Sequence, residues 1–327
     1  MKKKKKNPFI IIFVVIFIVI FIIVAIFITK KVYTGIYSKI YQNQVAKFTG
    51  NTLSEIEKKS IQKEAKDLSN VKGTFTGKQT WSRDVYITGD VIILSTLTIE
   101  PGTIITFAAG QDSLPSSFDI EIKADGFNDD DPTRLKEYAD SHSSIFVVGS
   151  LIAKGTKEQP IIFTSDSKEP HYADWGGINL VGKASVLENV VVEYSRNGVS
   201  IPSPDKGMII RDSVIRHAMW GCFSIDGSNG LFENNLAQDC GHEGFDVGGK
   251  SIIRNNKVEN SHAAVVVLHG SPTLQENIFQ DEVHSFPGAT PNLVNNIIDS
   301  YLKCKAVKVW DYDNYKIPCF GEPYLIK

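Results

Sequence analysis

The stretch that decides the architecture runs from Glu233 to Gln280, ENNLAQDCGHEGFDVGGKSIIRNNKVENSHAAVVVLHGSPTLQENIFQ. Within it Asn235, Asn256 and Asn277 recur at 21-residue steps, each two residues ahead of an apolar residue. The column extends to Asn189, to Ser213 in IRDSVI and to Asn296, with successive steps of 24, 22, 21, 21 and 19 residues. Val191, Ile215, Ala237, Val258, Phe279 and Ile298 follow at the same offset and can form one core stack. GVSI at Gly198, CFSI at Cys222, GFDV at Gly244 and VVVL at Val265 supply a second apolar strand per repeat. A helical repeat would need a 3.6-residue period over ten or more residues, whereas these runs last four or five and are interrupted by glycine. Stacked strands satisfy the pattern, and repeats of this length suit a parallel β-helix with coils about 4.8 Å apart. The asparagines read as a structural ladder, because a buried side-chain amide inside a tight turn can satisfy turn groups of neighbouring coils.

The N-terminal half speaks the same language. WSRDVYITGDVIIL from Trp81, LTIEPGTIITF from Leu97, IFVVGSLIAKGTKEQPIIFTS from Ile145 and DWGGINL from Asp174 are short Val, Ile and Thr runs punctuated by turn residues. Pro101 and Gly102 make a turn, and Gly149 and Gly155 are expected to supply turn conformations that other residues reach at a cost. These phrases, with LENVVVEYSRNGVSI from Leu187, resemble the right-handed parallel β-helix repeat proteins of the pectate-lyase-like superfamily found on microbial surfaces. The resemblance covers about 73–300 and implies an all-β, right-handed solenoid; it says little of activity, since one fold hosts many functions. Residues 110–143, which include DGFNDDDPTRLKEYAD, depart from the compact pattern and read as an acidic insertion leaving the barrel.

Ahead of the repeats the chain changes character twice. Phe9 to Ile28 are twenty consecutive apolar residues, enough to cross a bilayer at about 1.5 Å per residue. The run is longer than a signal-peptide core and lacks a small-x-small cleavage site, so residues 8–29 read as an uncleaved transmembrane anchor. Lys2 to Lys6 place the 1–7 tail in the cytoplasm and the remainder outside, at the cell surface or in the periplasm. Residues 30–72 read as a helical stalk, in which Tyr33, Ile36, Tyr37, Ile40, Tyr41, Val45 and Phe48 form an apolar stripe suited to self-association through a 33–48 helix or to a plain spacer. Residues 301–327 read as a C-terminal tail.

Charge excludes some partners. Of 35 basic residues, seven fall within residues 1–31, leaving 28 against 37 acidic residues in the exported part. An acidic ectodomain without a basic stripe argues against nucleic acid. Four cysteines, Cys222, Cys240, Cys304 and Cys319, stand in no CxxC arrangement and allow three pairings; Cys304 with Cys319 reads as a tail staple, Cys222 and Cys240 as coil thiols.

Candidate chemistry comes in three groups. Four residues after the asparagine column stand Glu193, His217, Asp239, Asn260 and Asp281, the polar ladder richest in titratable groups. Glu193, His217 and Asp239 are the catalytic candidates: two coils put the carboxylates about 9.5 Å apart, at the outer edge for an inverting glycosidase. Trp220 and His242 share one offset, with Glu243 and Asp246 nearby, a flat aromatic among polar groups suited to a sugar ring. Asp125, Asn128, Asp129, Asp130 and Asp131 offer the hard oxygen ligands calcium uses, although not in EF-hand spacing; the alternative is a solvated acidic loop. The resembling enzymes act on acidic polysaccharides by elimination or hydrolysis, yet none of their catalytic motifs is intact here, and HEGFD is only faintly similar to an epimerase pattern. No Ser-His-Asp elbow, phosphate loop or HExxH is present. The expectation is a non-catalytic surface scaffold that binds polysaccharide or another envelope component and needs no cofactor, with a membrane-tethered lyase or hydrolase as the rival reading and a surface assembly or stalk protein as a third.

Overall fold

The computed structural model describes residues 70–116 and 140–298, apart from 183, 203–206, 226–228 and 287, together with the strand Val307–Val309. The anchor at 8–29, nearly all of the 30–72 stalk, Cys304 and Cys319 lie outside the described residues. Among the described residues no helix is long and apolar enough to cross a membrane.

All regular structure in the described residues is short strand, and every pairing between strands is parallel. One sheet stacks nine strands, from Gln79–Trp81 to Asn292–Val294. Eighteen more form two further ladders joined through the long strand Val85–Ile93, which pairs with Ile104–Phe107 at one end and with Ile145–Val147 at the other. Each coil therefore contributes one strand to each of three faces. The first face carries Ile209–Arg211, the second Val214–Arg216 and the third Phe223–Ile225, then the chain steps up to Leu231–Glu233 and repeats. The solenoid starts at Val71–Phe75, two residues before the expected boundary, and continues past 300, because Val307–Val309 pairs with Val283–Ser285.

Alternation explains the core. Ile215, Ala237, Val258, Phe279 and Ile298 are buried in register on the second face, and Phe223 stacks on Phe245 in the next coil at 4.3 Å. The asparagine column forms the expected ladder from Ser213 through Asn235, Asn256 and Asn277 to Asn296, all buried. Each Asn Oδ1 accepts the backbone N–H of the preceding column member at 2.9–3.1 Å, and each Nδ2 donates to a carbonyl one coil below.

Asn189 is not a ladder member. Ser213 Oγ receives the N–H of Val190, so Val190 holds the ladder position and Val192, rather than Val191, faces Ile215. The run Val190–Val192 has no alternation of its own to fix its register, and a one-residue slip exchanges the faces. Asn189 instead starts a second column with Asp212, Asn234, Asn255, Glu276 and Asn295, all at φ between 48° and 57°. Left-handed backbone at each coil makes the sharp corner between the first two faces, a conformation that Asn and Asp tolerate best.

Gly149 and Gly155 serve packing rather than left-handed turns. A Cβ on Gly149 would meet the Ser95 carbonyl oxygen at 1.5 Å, and one on Gly155 the Asn189 oxygen at 2.5 Å. Cys222 and Cys240 are not free thiols: they form a disulfide between successive coils, because the coil step brings their Cα atoms to 5.5 Å.

Candidate functional site

The corner between the second and third faces is where the chemistry-bearing side chains gather. Tyr194, His217, Asp239 and Asn260 occupy one left-handed column there, with φ of 52–63°. The Tyr194 ring lies over His217 at 5.1 Å and nearly parallel, while Tyr172 approaches the same imidazole edge-on at 6.1 Å. His217 Nδ1 is 3.3 Å from Asp239 Oδ2, and the Asn260 amide donates to the other oxygen. Burial, with the Asp239 charge adding to it, raises the Tyr172 phenol above its ordinary value.

Glu193 belongs to a different row. It ends the strand Val190–Glu193 and pairs in register with Arg216, followed by Gln238 and Glu259. Arg216 donates to its carboxylate at 2.8 Å through Nε and lies 2.6 Å away through a second nitrogen, while Thr164 donates from the other side at 2.8 Å. The one-residue offset of Asn189 causes this shift. Glu193 and Asp239 consequently do not share a column, and each carboxylate is held by neighbours of its own.

Trp220 and His242 do stack in one column, their ring centroids 5.0 Å apart. The column begins with Arg196, whose guanidinium lies 5.8 Å from the Trp220 ring, and continues to His262, 5.7 Å from His242. The Trp220 indole N–H is buried and has no hydrogen-bond partner among the described residues. Glu243 pairs with His242 Nδ1, and at the top of the corner burial raises the Asp281 carboxyl, helped by the Glu282 charge and opposed by the Ser261 N–H and by His262.

Asp246 points outward from the third face, because Phe245 and Val247 on either side of it fill the core. Its column reads Phe146, Asn179, Ser200, Ser224, Asp246, Val266 and His284 over successive coils. These side chains turn away from the core, yet Ser200, Asp246 and His284 are only 5%, 7% and 6% exposed. His284 Nε2 lies 2.7 Å from Glu282 Oε2, both side chains buried, and the Ser200 hydroxyl has no hydrogen-bond partner among the described residues. The third face thus carries a polar row whose hydrogen-bonding capacity the barrel leaves partly unused.

Arg196, Tyr194, His262, Ser200 and the Glu282–His284 pair were not singled out from sequence. His262 was within reach, standing 20 residues after His242 as His242 stands 22 after Trp220. Asp125, Asn128, Asp129, Asp130 and Asp131 lie outside the described residues, and among those described no group of three or more His, Cys, Asp or Glu side chains could hold a metal ion.

Three parallel ladders and a buried asparagine ladder define a right-handed parallel β-solenoid. Family models agree over the whole barrel: a pectate-lyase-like β-helix domain matches residues 73–200 and a right-handed β-helix region matches 169–315. The chain belongs to the pectate-lyase-like superfamily of β-helix repeat proteins. No curated protein and no solved structure matches it significantly.

Proposed function

We propose that the chain is a membrane-anchored, extracytoplasmic β-helix that binds a glycan or another envelope component along the third face and its Trp220 corner, without turning it over. The observation that carries this reading is the Trp220 indole, whose ring is flanked by Arg196 and His242 and whose N–H lacks a partner among the described residues. A sugar offers the half-buried ring a C–H face to pack against. The apolar run at 8–29 supports the anchor, and the Cys222–Cys240 disulfide fits an oxidising compartment. The carboxylates support a reading without turnover: Glu193 is held by Arg216, and Asp239 by His217 and Asn260. Trp220→Ala should weaken binding to an immobilised polysaccharide about tenfold, the equivalent of one good aromatic contact, with an unchanged circular dichroism spectrum. Equal retention of both proteins on every polysaccharide tested would remove the basis of the reading.

One observation favours the rival enzyme. The buried Glu282–His284 pair sits on the same face as Asp246 and has the form of a polarised acid–base couple. Release of unsaturated uronates or new reducing ends by the purified protein, abolished in Glu282→Gln, would establish that reading instead.

A further inference from the structure

We propose that Asp90 is a proton-controlled clasp that fastens the segments 110–116 and 140–144 to each other and to the barrel in acid and loosens them above neutrality. Asp90 lies on the strand Val85–Ile93, on the edge of the third face, and is 1% exposed. One of its carboxylate oxygens accepts the N–H of Ser116 at 2.7 Å and the other the N–H of Ser144 at 2.8 Å. A single side chain thereby bridges two segments that are distant in sequence. Asp112 completes the knot, since its Oδ1 accepts the Leu114 N–H at 2.7 Å and the Asp90 N–H at 3.3 Å. Its Oδ2 is buried without a hydrogen-bond partner among the described residues. The Ser143 hydroxyl ties the two segments directly, donating to the Gln111 carbonyl at 2.8 Å.

Two carboxylates in so confined a place cannot both be comfortably ionised. Burial pushes the Asp90 carboxyl up to about 7, with the Asp112 charge adding to the rise and the Ser116 and Ser144 hydrogen bonds opposing it. Burial also raises Asp112, aided by Asp140 and opposed by the Leu114 and Asp90 N–H groups and by Lys72. The charged and titratable groups around the knot are therefore Asp112, Asp140, His142 beside Ser141, and Lys72, which reaches Ser113 from the first strand at 2.8 Å.

The direction follows from linkage. In an opened neck Asp90 would be solvated and titrate near its ordinary 3.8, whereas in the closed neck it holds its proton up to about 7. The closed form binds the proton more tightly, so its advantage is complete below the lower value and is lost as pH rises to the upper one. The opening constant should grow about tenfold per pH unit across that window, about a thousandfold in all.

Amide hydrogen exchange on the intact protein between pH 4.5 and 8.5, corrected for intrinsic base catalysis, reads this at Ser116 and Ser144. Protection of both amides should fall together as pH rises, while amides of the strands Glu243–Val247 and Ala263–Val267 hold theirs. Asp90→Asn, which cannot ionise, should abolish the slope. Asp112→Asn removes the neighbouring charge and should move the midpoint to lower pH, so this variant decides the matter even if Asp90→Asn does not fold. A flat profile in the unaltered protein, the same slope in Asp90→Asn, or an unmoved midpoint in Asp112→Asn would overturn the proposal.

Discussion

Replacing Asn256 tests the logic of the barrel where it is most quantitative. The amide of this buried residue makes four hydrogen bonds: Oδ1 accepts from the Asn235 N–H at 2.9 Å and from the Asn235 Nδ2 at 3.0 Å, and Nδ2 donates to the Phe232 carbonyl at 2.9 Å and to Asn277 Oδ1 at 3.1 Å. In Asn256→Ala the side-chain atoms of Asn235 and Asn277 keep other partners, Ile210 O for the first and the residue 256 N–H for the second. The Asn235 N–H keeps none, whereas the Phe232 carbonyl, in register with Ile253, stays in the parallel ladder with the next coil. One buried orphan sets the loss at roughly 1–3 kcal/mol. Ser213 shows how to restore it, since its hydroxyl accepts the Val190 N–H from the same ladder position at 3.1 Å. Asn256→Ser should then satisfy the Asn235 N–H and recover most of that loss. Urea denaturation followed by circular dichroism orders the proteins as unaltered, Ser and Ala. A loss below about 1 kcal/mol for Ala, or equal losses for Ala and Ser, would refute the ladder as a source of stability.

Other expectations follow from the same geometry. Cys222→Ser with Cys240→Ser removes a crosslink spanning 18 residues and should cost about 3 kcal/mol by loop closure, seen as a lower melting temperature that dithiothreitol no longer shifts. Ile215→Asp buries an unpaired carboxylate in a fully enclosed stack and should cost several kcal/mol, so an unchanged melting curve would contradict the placement of that column. For the proposed topology, protease added to intact spheroplasts should digest the barrel; its protection would reverse the orientation.

The fold was legible because its determinants repeat. An apolar residue two positions after a buried asparagine recurs coil after coil, and each recurrence constrains the others, so the second-face stack from Ile215 to Ile298 could be read from spacing alone. Register failed where repetition was weakest. The 24-residue step from Asn189 to Ser213 is the longest, and the apolar run Val190–Val192 fits either register. That single-residue error moved Glu193 into the titratable column and Asp239 opposite it, although Arg216 is the true neighbour of Glu193. The Trp220–His242 column survived because both residues lie beyond the slip. The disulfide escaped notice for a related reason: 18 residues is shorter than the 22-residue step between the two coils it joins, so its cysteines occupy different positions in their coils and meet across a corner.

Where function resides can be argued from what each face does with its polar groups. On the first face Glu188, Arg211, Glu233 and Arg254 follow one another in register, and each acid has an arginine partner at 2.6–2.9 Å. On the second face Glu193 and Arg216 neutralise each other. Charges spent on neighbours in the same sheet hold coils in register and have little left for a ligand. The third face breaks this rule. Among the described residues Ser200 offers an unused hydroxyl and Trp220 an unused N–H at the adjoining corner. Buried polar groups without partners are costly in a folded protein. Those two unused groups are the physical reason for proposing the third face and its Trp220 corner, rather than the first or second face, as the binding surface.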